Sequence, residues 1–161
     1  MVGRAPRDLS AAQARGRRAD RDAPAARPRA RSTVNPVARW LIDAQNVIGS
    51  RPDGWWRDRD GAVRRLVAAV RDWAAAGGEE ALVVLDAGPR ELVGTEGGVQ
   101  VVLAPTRGRD AGDDELVRRL AEEPDPAAVR VVTSDRRLAE RARATGAEVH
   151  GAGAFRRRLD A

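Results

Sequence analysis

From Val37 onward, short apolar runs alternate with longer stretches in which apolar residues recur every three or four positions. Ala38 to Ile42, with Trp40 and Leu41 inside, predicts a buried strand ending at Asp43. A polar loop through Ser50, Pro52 and Gly54 follows. Val63, Leu66, Val67, Val70 and Trp73 then have helical spacing, and that helix ends before Gly77-Gly78. Ala81 to Leu85 predicts a second strand, stopping at Asp86. After a Gly-rich turn at 94 to 98, Val99 to Leu103 predicts a third. Leu116, Val117 and Leu120 mark a helix opening near Asp113. Val129 to Thr133 predicts a fourth strand, followed at once by Ser134 and Asp135. Leu138, Ala139 and Ala142 define a helix closing at Gly146. Ala147 to His150 predicts a short fifth strand, and Phe155 with Leu159 a final helical segment.

Strands that are continuously apolar and alternate with helices belong to a parallel sheet covered on both faces. The expected fold is therefore α/β, with a mostly parallel five-stranded sheet in doubly wound order 3-2-1-4-5. Ligand chemistry in such sheets lies beyond the carboxyl ends of the strands. There is no internal repeat.

Composition narrows the chemistry. At 161 residues, one domain is the expectation. No apolar run approaches the roughly 20 residues that cross a bilayer, and arginines interrupt the N-terminus where a secretory signal would be apolar. A soluble, cytoplasmic protein with no membrane partner is expected. The chain has no cysteine and one histidine, His150. Disulfides, thiolate-held zinc and cysteine nucleophiles are excluded, and a single histidine near the end of the chain argues against a histidine-based triad or a multi-histidine metal site. A metal would be held by oxygen, which favours hard ions such as Mg2+ or Mn2+.

Charge divides the chain. Residues 1–34 carry nine arginines against three acids, whereas residues 35–161 are close to neutral. The first segment has almost no large apolar residues and reads as a disordered basic tail ahead of a domain at 35–161. It is either a basic arm for RNA or a ribosomal surface, or a solvated extension. Every positively charged side chain apart from His150 is arginine. A G+C-rich coding sequence produces that bias, and the guanidinium fork also suits phosphate.

The acids are placed more tellingly. Asp43 follows the first strand, Asp86 the second, and Asp135 lies just past the fourth, so a parallel sheet puts all three at one edge. Asp110, Asp113 and Asp114 sit at a helix start facing the same edge. Carboxylates that converge repel one another, and a divalent ion relieves this while activating water. Each acid also has a local reading: Asp135 as a helix N-cap, Asp113 and Asp114 as first-turn charges, Asp86 as a turn residue.

Four short motifs in order resemble the NYN domains of the PIN-like nuclease superfamily, in their YacP-like branch. Leu41-Ile-Asp-Ala-Gln-Asn-Val-Ile48 resembles the opening D-x-x-N signature, and Val83-Val-Leu-Asp-Ala-Gly88 the second-strand motif. Gly112-Asp-Asp-Glu-Leu-Val117 is similar to the A-D-D-x-I helix start, and Thr133-Ser-Asp135 to the fourth-strand T-S-D. The likeness spans residues 38–158. It implies a Rossmann-like fold and a metal-dependent endoribonuclease acting on single-stranded RNA. It also implies that Asp43, Asp113 and Asp135 are the principal metal-binding acids, with Asp114 and Asp86 beside them. Asn46 would orient the first loop or contact phosphate. Two departures stand out: Ala44-Gln45 replaces the more usual Gly-Tyr, and Gly112 replaces alanine before the doublet.

Arg107, Arg109, Arg136 and Arg137 lie beside the acids in sequence and are candidates for holding phosphates without base preference. Trp55 and Trp56 are candidates for stacking on unpaired bases, or for capping the core under the first helix. Two other functions compete with the nuclease. One is a catalytically silent RNA- or ribosome-binding module. The other is a nucleotide phosphohydrolase, although no Gly-x-x-x-x-Gly-Lys loop is present.

Overall fold

The computed structural model describes residues 39–108 and 110–161. The basic tail at 1–34 and Arg109 lie outside the described residues. Strand β1 (Arg39–Asp43) is the centre of the sheet, paired in parallel with β2 (Glu80–Leu85) on one side and β5 (Val129–Val132) on the other. Beyond them lie β4 (Val99–Leu103) and β6 (Glu148–His150), also parallel. These are the five expected strands in the expected order.

A sixth strand, β3 (Gly94–Glu96), corrects the reading of 94 to 98 as a turn alone. It pairs antiparallel with β4 at the sheet edge, giving the order β3-β4-β2-β1-β5-β6. Gly97 and Gly98 (φ 57° and 79°) make the two-residue connection, which demands positive φ at both positions. All three residues of β3 are exposed, so no apolar pattern marks it.

Side chains of β1 alternate between faces, as a strand requires. Trp40 and Ile42 point to the side covered by α1 (Ala44–Gly49), α2 (Arg59–Gly77) and α5 (Ala152–Leu159), where they meet Val47, Leu66, Val70 and Phe155. Leu41 points to the side covered by α3 (Ala111–Ala121) and α4 (Arg136–Ala144), with Leu116, Leu120 and Leu138. Helix α2 stops where Gly78 takes a left-handed conformation (φ 64°) and its N–H reaches the Ala74 carbonyl. Helix α1 falls in a stretch with no expected helix. It has only six residues, and its start is set by the Asp43 carboxylate accepting from the Asn46 N–H.

The core on the α2 side is organised by aromatics. The Trp40 ring meets Trp73 edge-on at 5.3 Å and Phe155 at 5.4 Å. Its indole N–H donates to Glu79 at 3.0 Å, satisfying the one polar atom of a fully buried ring. Trp56, by contrast, is 49% exposed. Replacing Trp40 with Ala is expected to cost about 3–5 kcal/mol, while Trp56→Ala stays within about 0.5 kcal/mol. Urea unfolding of the two variants checks this, and equal losses would contradict it.

Candidate functional site

Because β1, β2 and β5 run in parallel, their carboxyl ends share one edge, and the loops leaving them carry the acids. Asp43 is the last residue of β1, Asp86 follows β2 directly, and Asp135 opens α4 just beyond β5. Helix α3 brings Asp113 to them in its first turn.

Asp43 is 5% exposed and its carboxylate is closely partnered. Oδ1 accepts from the Asn46 N–H at 3.1 Å, and Oδ2 accepts from the Thr133 hydroxyl at 3.1 Å and from the Asn46 side-chain amide. The Asn46 side-chain oxygen in turn accepts from the Ser134 N–H at 3.1 Å. The Thr133 oxygen accepts from the Asp135 N–H at 3.1 Å. Asp135 caps α4, its Oδ1 accepting from Leu138 N–H at 2.8 Å. One hydrogen-bonded strip thus joins β1, α1, the loop after β5 and α4.

Electrostatics shows which acids face one another. Asp113 is pushed up to about 6, first by burial, then by the charges of Asp43, Asp135 and Asp110, with Arg141 easing it. Burial likewise raises Asp86, helped by Asp113 and opposed by the Gly112 backbone amide. Asp43 is raised by burial and by Asp86, against its hydrogen bonds to Asn46 and Thr133. Repulsion thus links Asp43 with Asp86, Asp86 with Asp113, and Asp113 with Asp43, Asp135 and Asp110.

Neighbouring acids in the same motif do otherwise. Asp114 is exposed and bonded to Arg141 at 3.1 Å, and it is not among the charges acting on Asp43, Asp86 or Asp113. Glu115 is buried and held by Arg118 and Arg119, each at 2.7 Å. These partners lower it to about 2, with the Arg118 hydrogen bond the largest cause. It is a structural acid.

Among the described residues, no three acidic or histidine side chains close tightly enough to hold a metal ion between them. The donors are nonetheless all oxygen, and their repulsion is only partly offset by Arg141 and by hydrogen bonds. Mg2+ usually keeps several waters and uses only one or two carboxylates. Asp43, Asp113 and Asp135, with Asp86 beside them, fit such an ion in charge and donor type.

Two grooves flank the acids. On the β2 side, Asp86 borders a groove of about 640 Å3 walled by Arg90 and Arg107. On the other, Gln45, Asn46 and Ser134 line a smaller one of about 300 Å3. Arg90 carries no signal in a chain with arginine throughout, and only the fold brings it beside Asp86. Arg136 and Arg137 are exposed in the first turn of α4, next to Asp135. Trp55 packs partly buried against the core, leaving Trp56 as the exposed indole. Thr133, which ties Asp43 to Asp135, was legible only as part of the T-S-D motif.

A doubly wound, mostly parallel sheet with carboxylates at the ends of its central strands defines a Rossmann-like α/β domain. Residues 40–161 match the model of the YacP-like NYN domain, and the chain belongs to that family. An NYN domain is nuclease-like and RNA-related, and that class of function comes with the membership. Two crystal structures of Rae1 (YacP) from Bacillus subtilis share the fold. The tryptophan-to-leucine mutant aligns with a TM-score of 0.59 at 21% identity, covering 76% of this chain and 74% of that one. The other aligns with a TM-score of 0.58 at 21% identity, covering 75% and 72%. No curated protein matches the chain. Among the described residues, no helix is long and apolar enough to cross a membrane.

The raised carboxyls have a measurable consequence. Asp113 titrates near 6 when folded, against an ordinary value of 3.8, so the folded state holds the extra proton between those values. Without divalent ions, stability should rise as pH falls from about 6 toward about 4.5. Below that, Glu115 pulls the other way, since its paired form is lost as pH falls toward 2. Thermal melting in chelator should give a higher Tm at pH 5 than at pH 7.5, and Asp113→Asn should shrink the difference. A flat profile, or one unchanged by the substitution, would contradict this.

Proposed function

We propose that the chain is a metal-dependent endoribonuclease that hydrolyses phosphodiester bonds of single-stranded RNA. The observation that carries the reading is the convergence of Asp43, Asp86, Asp113 and Asp135 on one edge of the sheet, with Asp86 bordering an arginine-walled groove. A bound Mg2+ or Mn2+ would supply Lewis-acid activation of water and steady charge on the leaving oxygen.

The protein's own contribution is placement. Asn46 and Thr133 fix both oxygens of Asp43, so that acid points one way with little freedom. Asp113 stands in the first turn of α3, where the helix dipole favours its charged form and partly offsets its neighbours. Asp135 keeps one oxygen on the α4 cap, leaving the other for a cation. Arg90 and Arg107 would grip phosphates along the groove by charge, without reading bases. Its volume, about 640 Å3, suits a nucleotide-sized unit of a single strand. Arg136 and Arg137 occupy a helix start where positive charge opposes the dipole, a placement that a phosphate would reward.

The helix caps made by Asp43 and Asp135 would be kept equally by a silent RNA-binding module, and cleavage separates the two. Labelled single-stranded RNA is incubated with Mn2+ or with chelator, using wild type, Asp43→Asn and Asp113→Asn. Cutting should require the metal, and each substitution should slow it by more than about a hundredfold, the upper end of what losing an outer-shell partner does. Cleavage that persists in chelator or in the folded Asp113→Asn protein would refute the nuclease. Binding without cutting would favour the silent module.

A further inference from the structure

Gly112 stands directly before Asp113 in α3, and the carboxylate of Asp86 lies where a side chain on it would begin. A Cβ there would be 1.9 Å from Asp86 Oδ1 and 3.1 Å from its Cγ. The first distance is far inside any van der Waals contact, so alanine at this position and the present Asp86 conformation exclude each other. Backbone freedom is not the reason for glycine, because Gly112 is not among the positive-φ glycines. A helix ordinarily penalises glycine relative to alanine. What the site uses is the missing methyl group.

Helix α3 also lacks a cap of its own. Asp110 occupies the N-cap position but makes no capping hydrogen bond with its side chain. Asp86, arriving from the loop after β2, brings a carboxylate to that end of the helix, facing the Gly112 amide. Such a helix end favours negative charge. The same carboxylate borders the groove walled by Arg90 and Arg107.

We propose that Gly112 is a positioning residue: by lacking a Cβ it seats the Asp86 carboxylate on the α3 N-terminus and so fixes Asp86 between the acidic group and the groove. A methyl group at this position would force the Asp86 carboxylate to rotate off its present place. The functional consequence rests on the nuclease reading; the seat itself does not. Gly112→Ala must displace the carboxylate, and a displacement on the order of 1 Å in a catalytic constellation costs up to about a hundredfold.

The test compares the full chain as wild type, Gly112→Ala, Asp86→Ala and the double variant. In chelator, Gly112→Ala should lower Tm when Asp86 is present and raise it when Asp86 is Ala, where only helix propensity acts. Gly112→Ala alone should also weaken the Tm rise on adding Mn2+ and slow RNA cleavage. In the Asp86→Ala background it should add no further loss. If Gly112→Ala does not fold, the double variant should, and its failure as well would overturn the proposal. So would a Gly112→Ala protein that is stabilised in both backgrounds with its Mn2+ response intact. A wild type that cuts no RNA with any divalent ion would sink the nuclease reading, while the reversal of the Tm effect still decides the seat.

Discussion

A carboxylate withdrawn from water costs several kcal/mol unless its oxygens find partners, and Asp43 is the place where this chain meets that cost. Both oxygens are bonded, to the Asn46 backbone and side chain and to the Thr133 hydroxyl. Each partner holds something further: Asn46 holds Ser134, Thr133 holds Asp135, and the Ser134 hydroxyl accepts from the Ala152 N–H at the start of α5 at 3.0 Å. From one buried acid the bonding reaches β1, α1, the loop after β5, α4 and α5. The geometry of the edge depends on that acid being both buried and satisfied.

The structural and chemical readings of these acids are not rivals. Asp43 and Asp135 are helix N-caps, and a helix N-terminus is also where negative charge is most comfortable. Helices α1, α3 and α4 all begin at the carboxyl edge of the sheet, as a doubly wound topology dictates. Their N-termini offset part of the repulsion among the acids but not all, as the raised Asp113 shows. Glu115 marks the contrast. Two arginines neutralise it and it falls to about 2, whereas Asp113 has only the distant charge of Arg141 to ease it among the described residues. Residual repulsion of this kind is what a cation would relieve.

The strand-end acids were legible because a parallel sheet converts position along each strand into position in space: knowing where β1, β2 and β5 end is knowing that Asp43, Asp86 and Asp135 share an edge. Asp113 and Asp114 were not separable in sequence. Successive residues on a helix point about 100° apart, so only one of them faces the group. The turn of β3 was visible in its glycines, but not its pairing, since no residue of that strand is buried. Helix α1 was hidden because six residues carry too little periodicity and its start depends on Asp43. Trp55 and Trp56 were indistinguishable until packing chose one. The contact of Asp86 with Gly112 links residues far apart in the chain, and the sequence showed only an unusual glycine.

Calorimetric titration of Mn2+ into the metal-free protein near pH 6, in buffers of different ionisation enthalpy, shows whether the acidic edge holds a cation. Asp113 is partly protonated there, so an ion held by the acidic edge must displace protons as it binds. A cation-binding edge gives saturable binding with proton release that declines at pH 8. No saturable binding, or binding with no proton released at pH 6, would contradict it.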